Sequence, residues 1–267
     1  MGVQQRNDVH VSGAGPATMF FGHGFGCDQN MWRLLAPAYE TRYRIVLFDL
    51  VGSGKSDLSA FDKDKYASLH GYADDVLEIV REFGEGPALF VGHSVSAMIG
   101  MLANLKDPSR FSAQIMVGAS PCYINHGDYV GGFTRKDIDS LLEKLESDYL
   151  VWSSNMAPAI MGAPDQPELG AELTSSFCRT DPEIAKHFAR VMFLSDVRAE
   201  VPKLTTPTLI VQCNDDRIAP ISVGEYLRSA LPRSTLSIIE NIGHCPHLSS
   251  PSRSASVIDG FLQKEGL

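Results

Sequence analysis

Apolar residues gather in short runs, rich in Val, Ile and Phe, at 17–21, 44–48, 88–91, 113–117, 208–212 and 235–239. Runs of this length with no polar alternation predict strands buried on both faces. Between most of them the spacing of apolar positions becomes helical, over 29–39, 69–82, 97–105, 223–231 and 254–264. Strands alternating with helices build a mostly parallel sheet flanked by helices, an α/β architecture. No internal repeat or low-complexity segment interrupts the pattern.

From about 124 to 198 the alternation stops and only helical spacing remains. Ile138, Leu141, Leu142, Leu145 and Tyr149 fall on one helical face, as do Ile184, Phe188 and Val191. Thr134 followed by Asp137 has the form of a capping box, and Asp181-Pro182 sets a cap before a first-turn proline. The Pro-rich stretch 158–167 divides the segment into two pairs of helices. The expected organisation is an α/β core over 1–123 and 199–267, interrupted by a helical lid over 124–198. A second independent domain is disfavoured by the shortness of the insertion.

One strand end carries a nucleophile. The run 87–91 leads into Gly92-His93-Ser94-Val95-Ser96, and helix-forming residues follow. Strand, sharp turn and helix together expose the serine and aim the next backbone N–H at a reacting carbonyl. A serine nucleophile needs a base, and the base needs an orienting carboxylate. Asp216 follows the strand at 208–212 and His244 follows the strand at 235–239, in the order this arrangement requires. Asp215 competes for the acid role, but the exit through Ile218-Ala219-Pro220 suits Asp216 better. His247 competes with His244, which has Gly243 directly before it, so His247 is expected to be structural. Val95 N–H is one expected oxyanion donor. Phe25 N–H, in Gly22-His23-Gly24-Phe25-Gly26, is the other, because glycines let backbone approach a substrate.

Charge narrows the partners. A net charge of −9 opposes binding to nucleic acid or an anionic membrane surface. No run approaches the roughly 20 apolar residues of a membrane span, and the first residues lack a basic-then-apolar signal pattern. Five cysteines without CxxC spacing are best explained as reduced thiols, so a cytoplasmic location is expected. His70, His126 and His187 show no metal-ligand spacing. Segment 49–56 ends in Gly-Lys-Ser but lacks the spacing of a phosphate-binding loop; a structural turn is expected there.

Taken together, several segments resemble the α/β-hydrolase family that contains the bacterial stress regulator RsbQ and the plant karrikin and strigolactone receptors. They are Gly24-Phe25-Gly26-Cys27-Asp28-Gln29, Leu47-Phe48-Asp49-Leu50-Val51-Gly52-Ser53-Gly54, Val91-Gly92-His93-Ser94-Val95, Ser120-Pro121-Cys122-Tyr123, Gly131-Gly132-Phe133 and Gly243-His244-Cys245-Pro246-His247. Ser-Pro-Cys-Tyr and Gly-His-Cys-Pro-His look closest to the bacterial branch.

The resemblance implies a Ser94–His244–Asp216 triad under a four-helix lid that encloses an apolar pocket. By position, Phe25, Phe133, Trp152 and Phe193 would line that pocket, with Met156 where plant relatives usually show an aromatic. Ser96 stands where the family usually has glycine, and the turn should survive with slight crowding. The expected activity is hydrolysis of a small apolar ester or lactone without metal or organic cofactor. The rival expectation is a slow-turnover sensor that engages a stress-signalling protein partner. Dehalogenases of this fold usually place Asp at the elbow, and Ser94 argues against one.

Overall fold

The structure is a computed structural model describing residues 2–267. Its strands are β1 (His10–Ser12), β2 (Ala17–Gly22), β3 (Tyr43–Leu47), β4 (Ala88–His93), β5 (Phe111–Val117), β6 (Thr208–Asp215) and β7 (Ser234–Ile242). They form a single sheet in the order β1-β3-β2-β4-β5-β6-β7, parallel except for β1. Every residue of the central strand β4 is buried, which accounts for its unbroken apolar run. Phe90 anchors that layer, 6.5 Å from both Phe48 and Phe111 by ring centroid.

The helices are α1 (Val3–Arg6), α2 (Leu69–Phe83), α3 (Val95–Lys106), α4 (Arg135–Ser147), α5 (Tyr149–Met161), α6 (Pro167–Arg179), α7 (Pro182–Phe193), α8 (Ile221–Ala230), α9 (Pro246–Ser249) and α10 (Pro251–Glu265). Helices α2 and α3 pack on each other, and α8 and α10 pack on β6 and β7. Among the departures from the sequence reading, two lie in the α/β core. The stretch 29–39 is not one helix but two 3-10 turns, Gln29–Trp32 and Ala36–Ala38. Pro37 explains the break, because its ring would clash with the carbonyl of Arg33 in a continuous helix. The edge strand β1 is the second departure: its three residues are all exposed, so it carries no apolar signature.

Helices α4 to α7 lie in the chain between β5 and β6. Thr134 and Asp137 close the capping box reciprocally, and the Asp181 carboxylate accepts from the N–H groups of Glu183 and Ile184. Pro158 lies within α5 rather than beyond it, and the break comes at Gly162, in the left-handed conformation. Helices α5 and α6 then pack face to face. Their buried residues include Trp152, Ala157 and Met161 on α5 and Leu169, Leu173 and Phe177 on α6.

Candidate active site

Ser94 occupies the turn between β4 and α3 at φ 55°, ψ −122°. A non-glycine residue in that region is strained by about 1–3 kcal/mol and persists only where its surroundings enforce it. Here the Ser94 N–H donates to the Val117 carbonyl at 2.8 Å, tying the turn to the end of β5. Gly92 is required as well, since a Cβ there would come within 2.6 Å of the Ala97 nitrogen. Ser96 is fully buried at the base of the turn. Its hydroxyl donates to the His23 carbonyl and so fastens the elbow to the loop that carries Phe25.

His244 follows β7. Its N–H donates to the Ile160 carbonyl of α5 at 2.8 Å, and the Gly243 N–H donates to the Asp215 carbonyl at 2.7 Å. Gly243 has φ 100° and passes so close to Met161 that a side chain would overlap the Met161 carbonyl. The glycine before the histidine is therefore what lets the end of α5 rest on this loop. His244 Nδ1 lies 2.7 Å from Asp216 Oδ2, with both residues buried. The other carboxylate oxygen, Oδ1, accepts from the Ile218 and Ala219 N–H groups at 2.8 and 3.1 Å. A carboxylate held in this way keeps the His244 proton on Nδ1 and leaves Nε2 as the basic nitrogen. Among the described residues, Nε2 is buried and without a partner. Asp215 by contrast is exposed.

The loop after β2 approaches Ser94 from the other side. His23 Nε2 accepts from the Leu50 N–H at 3.0 Å, so its Nδ1 carries the proton and donates to the Gly24 carbonyl at 2.8 Å. With Ser96, this histidine fixes the loop. Among the described residues, neither the Phe25 N–H nor the Val95 N–H has a backbone acceptor.

Ser94 and His244 face a common cavity lined by Phe25, Trp152, Met156 and Phe193. Phe133 is absent from it. That residue lines a neighbouring groove with Leu141 and Val151, on the far side of Trp152 and Met156. Phe177, Leu173, Met192, Cys27 and Cys245 also line the cavity, and sequence reasoning assigned none of them there. Phe177 stacks on Trp152 at 5.9 Å and meets Phe25 edge-on at 5.6 Å, closing the space between α5, α6 and the core. The free volume is about 30 Å³, room for roughly one or two water molecules. No Lys, Arg, Asp or Glu lines it among the described residues. A wider cleft of about 750 Å³, lined by Asp28, Arg33 and Arg179, contains neither Ser94 nor His244.

The model of the alpha/beta hydrolase family matches residues 19–257. The chain belongs to this family. It is 38% identical to a karrikin insensitive 2 receptor of Petunia hybrida, over 93% of either chain. It is likewise 38% identical to a strigolactone esterase of Arabidopsis thaliana, over 94% of either chain. Its structure superposes on that of a hydrolase from Oleispira antarctica with a TM-score of 0.94 and 40% identity, covering 98% of this chain and 96% of the other. No described helix is long and apolar enough to cross a membrane.

Two further histidines pack around the alpha/beta hydrolase site. The His93 ring lies 4.8 Å from that of His244 and 4.5 Å from that of His247, and His93 Nε2 donates to the His244 carbonyl at 2.9 Å. Burial holds His93 well below the usual histidine range and pushes His247 down to about 3. Both therefore stay neutral beside His244. The unfolded chain binds these protons near pH 6.5 and the folded chain does not, so their contribution is complete above that pH and declines as pH falls below it, for His247 down to about 3. Between pH 7 and 5.5, His247 alone accounts for a loss of about 1 kcal/mol. Melting curves at those two pH values should show a smaller drop in Tm for His247→Leu than for the native chain. Equal drops would show that His247 does not carry the effect.

Proposed function

We propose that the chain is a serine hydrolase that cleaves small neutral esters or lactones through Ser94, His244 and Asp216. What supports this most directly is the 2.7 Å His244–Asp216 pair, whose free Nε2 faces the same cavity as Ser94. Ser94 Oγ attacks the carbonyl carbon while His244 Nε2 takes its proton. Asp216 stabilises the imidazolium, and the Phe25 and Val95 N–H groups receive the oxyanion. His244 then passes the proton to the departing alcohol oxygen, and water releases the acyl group by the same steps in reverse. These steps use only the side chains, the two N–H groups and water.

The cavity sets the substrate class. Its lining is apolar and uncharged, so each Å² of apolar substrate buried contributes about 25 cal/mol, whereas an unpaired charge would lose several kcal/mol. So little free volume means that Trp152 or Phe177 must swing aside, or α5 and α6 must part, before an ester fits. Compact neutral acyl groups require the least displacement. A panel of p-nitrophenyl esters and butenolides, read by product release and intact mass, tests this reading. Acetyl and small lactone substrates should be favoured over anionic or long-chain ones, with one acyl group carried on Ser94. Trp152→Ala should shift the optimum to larger acyl groups by tenfold or so, roughly what a few buried methylenes are worth. Efficient cleavage of long-chain or charged esters by the native chain would refute the closed apolar site.

The similarity to a protein named as a receptor supports a second reading, a sensor whose lid engages a protein partner once a ligand has opened it. Turnover of many small esters without any lid rearrangement would count against it.

A further inference from the structure

Beside His244 lies a cluster of buried side chains that the triad leaves unused. His93, Cys245 and His247 each offer one nitrogen or sulfur atom, and these three atoms lie within 4.8 Å of one another. All three residues are at most 2% exposed. Cys245 Sγ is 4.0 Å from His93 Nε2. The His247 ring packs on both Trp32 and His93, its centroid 4.5 Å from each. Among the described residues, neither nitrogen of His247 has a hydrogen-bond partner, and His93 Nδ1 has none either. An imidazole buried with both nitrogens unpaired is destabilising, so its presence beside a thiol and a second imidazole points to a ligand.

The donor set selects the ion. Two neutral imidazoles and a thiolate suit Cu⁺ or Zn²⁺, not Mg²⁺ or Ca²⁺, which take oxygen ligands. Charge decides between the two that remain. One thiolate neutralises a monovalent ion, whereas Zn²⁺ would keep a buried positive charge with no carboxylate in the cluster. Zn²⁺ also calls for a fourth ligand, and the cluster supplies three. At bonds of about 2.0 Å to nitrogen and 2.3 Å to sulfur, three donors around one ion stand about 3.5–3.7 Å apart, so the cluster has to contract by about 1 Å. His93 and Cys245 line the catalytic cavity, which gives an ion its way in.

We propose that His93, Cys245 and His247 form a binding site for a soft monovalent metal ion, Cu⁺, and that its occupancy slows the hydrolase. The binding stands by itself; the inhibition rests on the reading of His244 as the base. Cu⁺ bonds to Cys245 Sγ and to one nitrogen of each histidine. The thiol proton passes to solvent, and no electron is transferred. His93 Nε2, the nitrogen in contact with Sγ, donates to the His244 carbonyl in the free site. The ion takes the place of that proton, which moves to Nδ1. His244 then loses one of the bonds that hold its backbone, and Cys245, the next residue, is drawn toward the ion. Both changes shift the His244 imidazole relative to Ser94.

Anaerobic titration with Cu⁺, buffered by bicinchoninate, tests the binding in Cys178→Ser, which removes the exposed thiol. One ion per chain is expected, with one sulfur and two nitrogen neighbours by X-ray absorption. Adding Cys245→Ala should weaken binding roughly hundredfold or more, since even groups that merely support metal ligands are worth about 10–100-fold. Should that variant not fold, His247→Leu supplies the second arm, with the same loss expected. Unchanged affinity in either variant would overturn the site. So would a shell of two sulfurs without nitrogen, which would place the ion between Cys245 and Cys27. Zn²⁺ bound as tightly as Cu⁺ would overturn the monovalent assignment. Ser94→Ala should still bind one Cu⁺, so the site survives or fails independently of the hydrolase reading. In the active chain, full occupancy should slow p-nitrophenyl acetate hydrolysis roughly tenfold or more, as for a slightly misplaced catalytic group, and excess chelator should restore it. Unchanged turnover at full occupancy, or a loss that the chelator does not reverse, would overturn the inhibition.

Discussion

Ser94→Ala should lower ester turnover by roughly 10⁴-fold or more while the molecule stays folded. That factor corresponds to about 5 kcal/mol of transition-state stabilisation. The loss is large because the members of a triad act as one unit: without Oγ, the basic nitrogen of His244 has nothing to activate. Stability should change by less than about 1 kcal/mol, since alanine inherits the φ of 55° and the N–H bond to Val117. Kinetics with p-nitrophenyl acetate and a melting curve on the same sample check both halves. Native turnover by the folded variant would remove Ser94 from the reaction.

Much of this site was legible in the chain because local chemistry dictates it. Gly92 and Ser94 announce a turn that only a small residue can enter, and the strand before and helix after make that turn an elbow. Gly243 before His244 is needed for the close passage of α5, a requirement that sequence alone reveals as a glycine beside a histidine. Thr134 and Asp137 spell a capping box that the lid forms. Each of these signals lies within a few residues of the group it positions.

What escaped depends on contacts between distant segments. Phe177 follows Leu169 and Leu173 at helical spacing, so its burial was readable, but its stacking on Trp152 depends on how α6 meets α5. The narrowness of the cavity follows from that stacking. Phe133 was placed in the pocket by resemblance, yet it lines the neighbouring groove with Leu141 and Val151 instead. The Ser96 hydroxyl finds its acceptor in the His23 carbonyl, on a neighbouring strand's loop. Edge strand β1 was missed for the opposite reason: its residues face solvent and bury nothing.

Asp216→Asn and Asp215→Asn should differ by orders of magnitude, although the residues are neighbours. In the native site, Asp216 Oδ1 receives two backbone N–H donors, from Ile218 and Ala219. An asparagine amide would have to keep its oxygen on those donors, which turns its NH₂ toward His244. Nδ1 would then accept rather than donate, and the imidazole proton would move to Nε2. That is the wrong tautomer for accepting the Ser94 proton, and the expected loss is about 10⁴-fold in kcat. At position 215 the side chain is exposed, and the group that matters is the backbone carbonyl receiving the Gly243 N–H, which the substitution leaves in place. Turnover by Asp215→Asn should therefore stay within about twofold of native, as for an exposed side chain outside the reacting groups. The rate of p-nitrophenyl acetate hydrolysis by the two variants decides it. Comparable large losses at both positions would mean that the 2.7 Å contact between His244 and Asp216 is not what sets the tautomer.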